Sequence, residues 1–385
     1  MEKLTNQSLI HLWIPNMFEF KGGIQVYSAF LMQAIQSILS QSQYNVFLKH
    51  DRNSSPDFPV LQNTQFHCSG KWVPQLRTLT FASNITACGL MQRPNLILST
   101  HLNFSVVGYK LKQLIGVPYW VVAHGVDAWD IQSPTLQTAL QHTDKILAVS
   151  GYTRDRLLKE QNLDPAKVSL LPNTFDAGRF QIAPKPQHLL LRHKLTADQP
   201  VILTVARLDS SERYKGYDQI LQAMPQIRRQ IPNVHYIIVG KGSDRARVEQ
   251  LIAQHNLQNC VTLAGFIPDS ELCDYYNLCD VFAMPSKGEG FGIVYLEALA
   301  CGKPCLGGNQ DGAVDALGHG DLGVLVNPDD ISEIAQSLIQ ILQRSYPHPL
   351  LHQPQTLREK VIARFGFNKF KQTLAELLES EMPFI

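Results

Sequence analysis

Two glutamates and three glycines lie together in residues 288–297, which read GEGFGIVYLE. The segment follows an apolar run, residues 281–284, and leads into residues 293–300, which have a good helix sequence. Glycines at a helix start let an anion approach the free backbone N–H groups, and the helix dipole favours its negative charge. Glu289 and Glu297 flank this position, and carboxylates are strong acceptors for sugar hydroxyls but poor phosphate ligands. The segment indicates a sugar nucleotide, although two ordinary solvated helix-end charges would explain the glutamates equally well.

Two cations follow the first strand-like run of the same half of the chain. Arg207 comes shortly after residues 201–205, and Lys215 lies further along the same loop. A leaving diphosphate gains negative charge as the sugar bond breaks, and this pair could neutralise that charge without a metal. Taken alone, the same two residues would be explained by surface ion pairs with Asp209 or Glu212.

Two glycines and a histidine follow strand-like runs in the first half of the chain. Gly22 and Gly23 come after residues 9–14 and open a predicted helix, so their backbone could pack against a donor phosphate or sugar. His124 follows residues 119–123 directly. A glycine pair more often marks a turn, and a single histidine is more often structural. Only their positions at strand ends make these residues candidates for ligand contact.

The sequence does not match other well-known nucleotide-binding or metal-binding motifs. Gly240 and Lys241 follow a strand, but Arg245 replaces the third glycine of a dinucleotide fingerprint, so this turn is predicted to line a nucleotide pocket instead. The sequence has no Gly-x-x-x-x-Gly-Lys-Ser/Thr loop and no Asp-x-Asp triplet that would hold a divalent ion against a diphosphate. Cys301 and Cys305 have no histidine pair nearby, which favours core packing over zinc.

For these residues to form one site, the strands and helices around them must bring them together at one edge of a β-sheet. The 385 residues exceed the size of one ordinary core, and short apolar runs alternate with longer amphipathic stretches in two series. The pattern predicts an α/β protein of two Rossmann-like, doubly wound domains facing each other across a cleft. The pattern breaks at a proline-rich linker, residues 181–198. The predicted domains are residues 1–182 and 198–365.

Composition excludes several classes of function. A net charge of +1 argues against a general nucleic-acid binder, and seven scattered cysteines suggest a reducing compartment. The first eight residues are polar, so no signal peptide is expected, and no apolar run approaches the roughly 20 residues of a membrane span. We expect a cytoplasmic protein whose contact with the inner face of a membrane would be peripheral.

Taken together, the chain resembles glycosyltransferase family 4 over nearly its whole length. Glu289 and Glu297 match the family's Glu-x7-Glu motif, and the ordered set of further matches makes the resemblance specific. Those matches are Gly22-Gly23, His124-Gly125, Val149-Ser150, Leu171-Pro172-Asn173, Arg207 and Lys215. The resemblance implies the two-domain B-type glycosyltransferase (GT-B) fold, with a C-terminal helix in residues 366–385 that packs back on the first domain. It also implies sugar transfer with retention at the anomeric carbon, and no metal or other cofactor beyond the nucleotide sugar as co-substrate.

The same resemblance implies roles for individual residues. Glu297 would bind the ribose hydroxyls, Glu289 the transferred sugar, and His124 would lie beside that sugar as a catalytic residue. Arg207 and Lys215 would stabilise the leaving group. The residues implied to contact the donor are Gly22, Gly23, Gly240, Lys241, Phe266, Ile267, Gly290, Phe291, Gly292, Ile293, Val294 and Glu297.

The acceptor is predicted to bind the first domain, because all four tryptophans lie there. Trp72 and Trp129 fall in predicted loops, where an exposed aromatic ring could stack on a sugar or touch a lipid headgroup. Asp127 and Asn173 are the other acceptor candidates. Both loop tryptophans could equally cap the domain core.

The leading functional hypothesis is a retaining hexosyltransferase that uses a UDP-sugar, UDP-glucose first, in polysaccharide or exopolysaccharide assembly. Its acceptor would be a glycan or a lipid-linked glycan. A transferase that uses GDP-mannose or ADP-glucose would keep the same residues in the same roles. A sensor that binds a sugar nucleotide without catalysis is the alternative from a different class, and it would need less positive charge at the diphosphate.

Overall fold

A computed structural model describes residues 8–19, 22–54 and 63–382. Most of the polar N-terminal segment from which no signal peptide was predicted, residues 1–7, lies outside this part of the chain. The chain divides into two compact units, Met1–Thr174 with Phe367–Ile385 (unit 1) and Phe175–Gly366 (unit 2). No helix in the described part of the chain has both the length and the hydropathy required to span a bilayer.

Unit 1 is built on a seven-stranded parallel sheet with the strand order β3-β2-β1-β4-β5-β6-β7. Its strands are β1 (Leu9–Ile14), β2 (Gln43–Leu48), β3 (Thr64–Cys68), β4 (Leu96–Ser99), β5 (Tyr119–Ala123), β6 (Lys145–Ala148) and β7 (Val168–Leu170). Its first helices are α1 (Gly23–Ile38), α2 (Pro74–Gln92), α3 (Ser105–Ile115), α4 (Pro134–Gln141) and α5 (Gly151–Gln161). Helices cover both faces of such a sheet, so its strands are almost continuously apolar.

Unit 2 repeats this architecture with six parallel strands in the order β10-β9-β8-β11-β12-β13. Its strands are β8 (Val201–Val205), β9 (His235–Val239), β10 (Val261–Gly265), β11 (Val281–Met284), β12 (Cys305–Gly308) and β13 (Val324–Val326). Its helices are α6 (Gln187–His193), α7 (Tyr217–Gln230), α8 (Arg245–Gln254), α9 (Asp269–Leu278), α10 (Ile293–Ala300), α11 (Ala313–Ala316), α12 (Ile331–Leu342) and α13 (Pro354–Phe365). The strand orders of both units confirm the predicted Rossmann-like, doubly wound class.

The last helix, α14 (Phe367–Glu381), belongs to unit 1 and packs on α1. The ring of Phe370 lies edge-on to Tyr27 of α1, with 5.5 Å between the ring centroids. The amine of Lys145, which is buried, forms an ion pair with Glu381 at 2.6 Å. Apolar packing and a charge contact thus attach the end of the chain to the first sheet.

The boundary between the units lies before the predicted linker, because residues after Thr174 are tied to unit 2. The Arg358 guanidinium donates to the carbonyl oxygen of Ala177 at 2.7 Å. The Asn277 carboxamide oxygen accepts from the backbone amide of Ala183 at 2.9 Å. These partly buried polar contacts make the start of the predicted linker part of the second unit.

The sequence pattern did not predict two of the strands. β3 and β13 are the outer strands of their sheets, and neither reads as an apolar run of ordinary length. β3 has the sequence TQFHC and is only partly buried, whereas β13 has three residues. An edge strand needs less apolar sequence because one side of it has no neighbouring strand.

Candidate functional site

The carboxyl edge of the unit 2 sheet brings together the predicted donor residues of the second half of the chain. β8 and β11 are neighbours in this sheet, and β9 and β12 flank them. Because parallel strands end at the same edge, the loops that follow these four strands lie close together. They carry Arg207 and Lys215, Gly240 and Lys241, the segment 288–292, and residues 309–312.

Lys215 and Glu289 form an ion pair between two of these loops. The Lys215 amine donates to a Glu289 carboxylate oxygen at 2.5 Å, and both side chains are largely buried. Burial alone would lower the pKa of Lys215, but the negative charge of Glu289, with Tyr214 and Glu212, raises it well above its ordinary value. Lys215 is therefore a permanent cation at this edge of the sheet.

Arg207 reaches the same group of charges through Glu212. Its guanidinium forms an ion pair with one Glu212 carboxylate oxygen, and the other oxygen lies 3.9 Å from the Lys215 amine. The Arg207 side chain is 60% exposed, in contrast to that of Lys215, which is 15% exposed. The pairing with Glu212 considered from the sequence is present, and the Glu212 carboxylate also lies near Lys215. Glu212 therefore bridges the two predicted cations.

The glycine segment requires glycine at its junction with α10. Gly292 has φ +90°, and a Cβ added there would lie 2.6 Å from the ring of Tyr295. No side chain caps α10, so the amides of Ile293 and Val294 keep their capacity to donate to a ligand. The amide of Tyr295 donates to the carbonyl oxygen of Gly292 at 3.1 Å. Phe291 is buried, with its ring edge-on to Phe365 at 5.5 Å, so only its backbone can serve a ligand.

Asp311 holds this segment in place, and it is a functional residue that was not predicted from the sequence. One of its carboxylate oxygens accepts from the amides of Gly288 at 2.8 Å and Glu289 at 2.7 Å. The other accepts from Ala313 at 2.9 Å, and burial raises the Asp311 pKa to about 6. The carbonyl oxygen of Glu289 accepts from the amide of Gly312 at 2.8 Å. An Asp-Gly pair just after an apolar run, at the same sheet edge, was the available signal.

Glu297 lies inside α10 and is buried. The hydroxyl of Tyr276 on α9 donates to a Glu297 carboxylate oxygen at 2.7 Å. Burial raises the pKa of Glu297 to about 7, and the Tyr276 hydrogen bond opposes that rise. No sequence signal marked Tyr276, because a tyrosine in an amphipathic helix is usually part of a core. The carboxyl is held in one position with its protonation balanced near neutrality.

Lys241 and Phe266 meet at the ends of β9 and β10. The Lys241 amine lies 4.8 Å from the centroid of the Phe266 ring, which is 66% exposed. Ile267 beside it is buried, and the amide of Gly240 donates to the carbonyl oxygen of Gly265 at 2.8 Å. The result is an exposed aromatic face backed by a cation, on a fixed backbone.

In unit 1 the predicted glycine pair begins α1. Gly22 is the N-cap, with extended backbone and no capping side chain, and a Cβ at Gly23 would meet nothing within 4 Å. The carboxylate of buried Asp51, after β2, accepts from the amides of Met17 at 2.6 Å and Glu19 at 2.9 Å. This contact orders the described part of the loop between β1 and α1.

His124 follows β5 and is held as a neutral ring. Its Nε2 donates to the carbonyl oxygen of Thr100 at 3.1 Å, and its ring is edge-on to Tyr27 at 5.0 Å. Burial lowers the His124 pKa to about 3. The carboxylate of Asp127 accepts from the backbone amide of His124 at 3.0 Å, and burial raises the Asp127 pKa to about 7. Neutral His124 can position a polar ligand but is not a cation at neutral pH.

The acceptor candidates differ in exposure. Trp72 follows β3 and is 51% exposed. Trp129 is partly buried against the hydrophobic core, and its ring lies 4.7 Å from the Arg156 guanidinium. This packing agrees with the alternative that Trp129 caps the domain core. Asn173 is buried, and its side-chain oxygen has no hydrogen-bond partner in the described structure. Within that part of the chain, no three or more His, Cys, Asp and Glu residues cluster as a metal site would require.

Two family models match the chain. One described as "Glycosyltransferase Family 4" matches residues 31–179, and one described as "Glycosyl transferases group 1" matches residues 191–359. The chain is 30% identical over 230 residues to a GDP-mannose-dependent alpha-(1-6)-phosphatidylinositol monomannoside mannosyltransferase of Mycolicibacterium smegmatis. That match spans 57% of this chain and only 59% of the relative. A 2-deoxystreptamine glucosyltransferase of Streptomyces kanamyceticus is 26% identical over 308 residues, which are 74% of this chain and 78% of the relative.

Solved structures share the whole fold at low identity. Sucrose-phosphate synthase from Thermosynechococcus elongatus matches with a TM-score of 0.79 and 23% identity, over 97% of this chain and 98% of that one. Anabaena HepE in complex with UDP-glucose matches with a TM-score of 0.75 and 20% identity, over 97% of this chain and 100% of that one. These neighbours have the GT-B fold.

Proposed function

The chain belongs to glycosyltransferase family 4, and from this premise we propose that it transfers a hexose from a nucleotide sugar to a glycan or lipid-linked glycan. The observation that carries the proposal is the Lys215–Glu289 ion pair beside the uncapped start of α10. It places a permanent cation, a sugar-hydroxyl acceptor and donating amides at one sheet edge. A diphosphate that bears a sugar needs all three.

The proposed roles follow from these contacts. The diphosphate binds the amides that begin α10 and the cations Arg207 and Lys215, which offset the charge that develops as it leaves. Glu289 accepts from the transferred sugar, and Glu297, which already accepts from Tyr276, takes the ribose hydroxyls. The base stacks on the exposed Phe266 ring, beside Lys241, as an aromatic platform would allow.

The proposed transfer retains the anomeric configuration. The acceptor hydroxyl oxygen bonds to the anomeric carbon on the face from which the diphosphate leaves. The carbon–oxygen bond to the diphosphate breaks, and a diphosphate oxygen takes the hydroxyl proton, so the enzyme supplies no nucleophile. We propose that no divalent metal is required, because Arg207 and Lys215 supply the positive charge.

Two nucleotide sugars are candidate donors, and each is supported by the name of a similar protein. UDP-glucose comes first, in keeping with the UDP-glucose complex of HepE. GDP-mannose is the second candidate, because the mycobacterial relative is named as GDP-mannose-dependent. That relative is also named for a phosphatidylinositol monomannoside, which favours a lipid-linked acceptor. Since all seven cysteines are free, we propose action in a reducing compartment, the cytoplasm, with peripheral contact at the inner membrane face.

A thermal-shift screen of nucleotides and nucleotide sugars tests the proposal. A ligand at 100 times its dissociation constant stabilises the folded state by about 2.7 kcal/mol, which raises Tm measurably. We expect a response to one nucleotide sugar and to its free nucleoside diphosphate, followed by turnover with EDTA present. Stabilisation without turnover on any acceptor would favour the sensor, and no response to any nucleotide would refute donor binding.

A further inference from the structure

Helix α2 presents an uncharged apolar face to solvent. Leu76, Leu79, Leu90 and Met91 are 47%, 67%, 39% and 75% exposed. At 3.6 residues per turn they share one side of the helix with Ser83 and Ala87, which are also exposed. The opposite side, with Phe81, Ile85 and Gly89, is buried in unit 1. A surface helix normally carries charge on its outer face, and this one does not.

The apolar face continues into the segment before the helix. Trp72 and Val73 are 51% and 56% exposed. The Arg77 guanidinium donates to the carbonyl oxygens of Trp72 at 3.1 Å and Gly70 at 3.3 Å, so this segment is fixed to the first turn of α2. We call the exposed apolar set the α2 surface, which consists of Trp72, Val73, Leu76, Leu79, Leu90 and Met91.

The stretch of sequence that contains the α2 surface carries charge of one sign. Residues 58–126 contain no aspartate or glutamate. The same stretch has five cations, which are Lys71, Arg77, Arg93, Lys110 and Lys112. Lys112 is paired with Asp144 at 2.6 Å, but Lys71 and Arg93 are exposed, one at each end of the α2 surface. A row of apolar side chains between cations complements an anionic, apolar boundary.

We propose that the α2 surface docks on a bilayer that contains anionic lipid, with α2 lying in the plane of the membrane. A helix of 19 residues is about 28 Å long, so its apolar side chains can enter the headgroup boundary along their whole row. Trp72 suits that boundary because its ring is apolar and its N–H is polar. The proposal deepens the proposed function, since it brings unit 1 to a surface that could hold a lipid-linked acceptor.

A second copy of the chain fits this face less well. In a symmetric dimer the same patch meets itself, so Lys71 and Arg93 of both copies would share one interface. The surrounding stretch offers no carboxylate to balance them. Like charges brought together across an interface disfavour association. Anionic lipid supplies the missing negative charge.

Vesicle flotation of the full chain tests the docking. One set of vesicles is phosphatidylcholine alone, and the other is phosphatidylcholine with an equal amount of phosphatidylglycerol. We expect binding to the second set, weakened by salt, and little binding to the first. Equal binding to both sets, or binding to neither, would overturn the proposal.

Matched variants assign the binding to the α2 surface. Leu79→Ser should weaken it about tenfold, since a leucine no longer enters the boundary. The control is Leu191→Ser on α6, where an exposed leucine of similar accessibility, 70%, lies in unit 2. Lys71→Gln and Arg93→Gln should each cost about fivefold, as cations near an anionic surface do. Lys369→Gln, an exposed cation of α14, should bind as the unaltered chain does.

Two further readouts separate the outcomes. The Tm rise caused by the nucleotide sugar should be the same in all these variants, so failure of docking is distinct from failure of donor binding. Equal losses in Leu79→Ser and Leu191→Ser would reject the α2 surface as the docking site. A dimer detected by sedimentation without vesicles, and dissociated by Leu79→Ser, would assign the face to a second copy and refute the membrane proposal.

Discussion

The Lys215 amine donates to the Glu289 carboxylate across 2.5 Å, which joins the loop after β8 to the loop after β11. The two residues are 74 positions apart in the chain, and adjacency of their strands in the sheet brings them together. Without a ligand, each neutralises the other. A bound diphosphate would compete for the cation while sugar hydroxyls would satisfy the carboxylate, so the donor can replace both halves of the contact.

Loss of the cation should lower turnover more than donor affinity. Lys215→Ala is expected to reduce kcat by a factor corresponding to on the order of 3 kcal/mol, because charge on the leaving group grows in the transition state. Initial rates at varied nucleotide sugar give kcat and KM. Lys287→Ala is the control, since Lys287 pairs with Asp329 at 2.5 Å in an exposed contact. Unaltered kcat in Lys215→Ala would remove this residue from the mechanism.

The glycine at the start of α10 should tolerate no side chain. Gly292→Ala places a Cβ at φ +90° and 2.6 Å from the Tyr295 ring. Gly320→Ala is a matched control, because Gly320 has φ +97° but an added Cβ meets nothing within 4 Å. Both variants carry backbone strain, and only the first carries a clash. We expect Gly292→Ala alone to lose nucleotide-dependent stabilisation in a thermal shift. Equal behaviour of the two variants would show that the close contact is unimportant.

Asp311 should act by positioning the donor segment. Asp311→Ala leaves the buried amide of Gly288 and the partly buried amide of Glu289 without their acceptor, at a cost of about 1–3 kcal/mol for an unsatisfied buried group. We expect a lower Tm and a higher donor KM, both measured on the same preparation. Asp329→Ala removes an exposed carboxylate nearby and should change neither. A lower Tm with normal donor KM would limit Asp311 to a structural role.

Much of the fold could be predicted from sequence because buried parallel strands are apolar throughout. β1, β5, β8 and β11 have the predicted bounds. β3 and β13 were missed because edge strands lack that signature. The structural boundary after Thr174 could not be predicted from the sequence. It depends on polar contacts between residues far apart in the chain, such as that of Asn277 with Ala183.

Part of the candidate site could be predicted because some of its features are local in the sequence. Strand ends and glycines are local features, so Glu289, Arg207 and Gly292 could be singled out one at a time. Their partners are not local: Asp311 meets the amide of Glu289, and Tyr276 meets Glu297, only through the folded sheet edge. The neutral state of His124 also depends on burial, which no spacing discloses.

Donor binding should depend on pH through Glu297. Its pKa is raised to about 7, mainly by burial, and ribose hydroxyls that donate to it favour the ionised form. Affinity for a nucleotide sugar should therefore rise as pH increases through about 7, with a proton released on binding. Titration calorimetry in buffers of different ionisation enthalpy measures that proton. Glu297→Gln should bind more weakly and without the pH dependence, whereas an unchanged pH dependence in this variant would contradict the role of Glu297.

The most direct test of the donor site is calorimetric titration of UDP-glucose, GDP-mannose and ADP-glucose into the unaltered chain and into Arg207→Ala, Lys215→Ala and Glu297→Gln. The account predicts that one of these nucleotide sugars binds the unaltered chain. It also predicts that each substitution weakens that binding by about tenfold or more, because charge-assisted hydrogen bonds contribute roughly 1.5–3 kcal/mol. Absence of binding by all three sugars, or binding that none of the substitutions alters, would contradict a nucleotide-sugar site at the carboxyl edge of the unit 2 sheet.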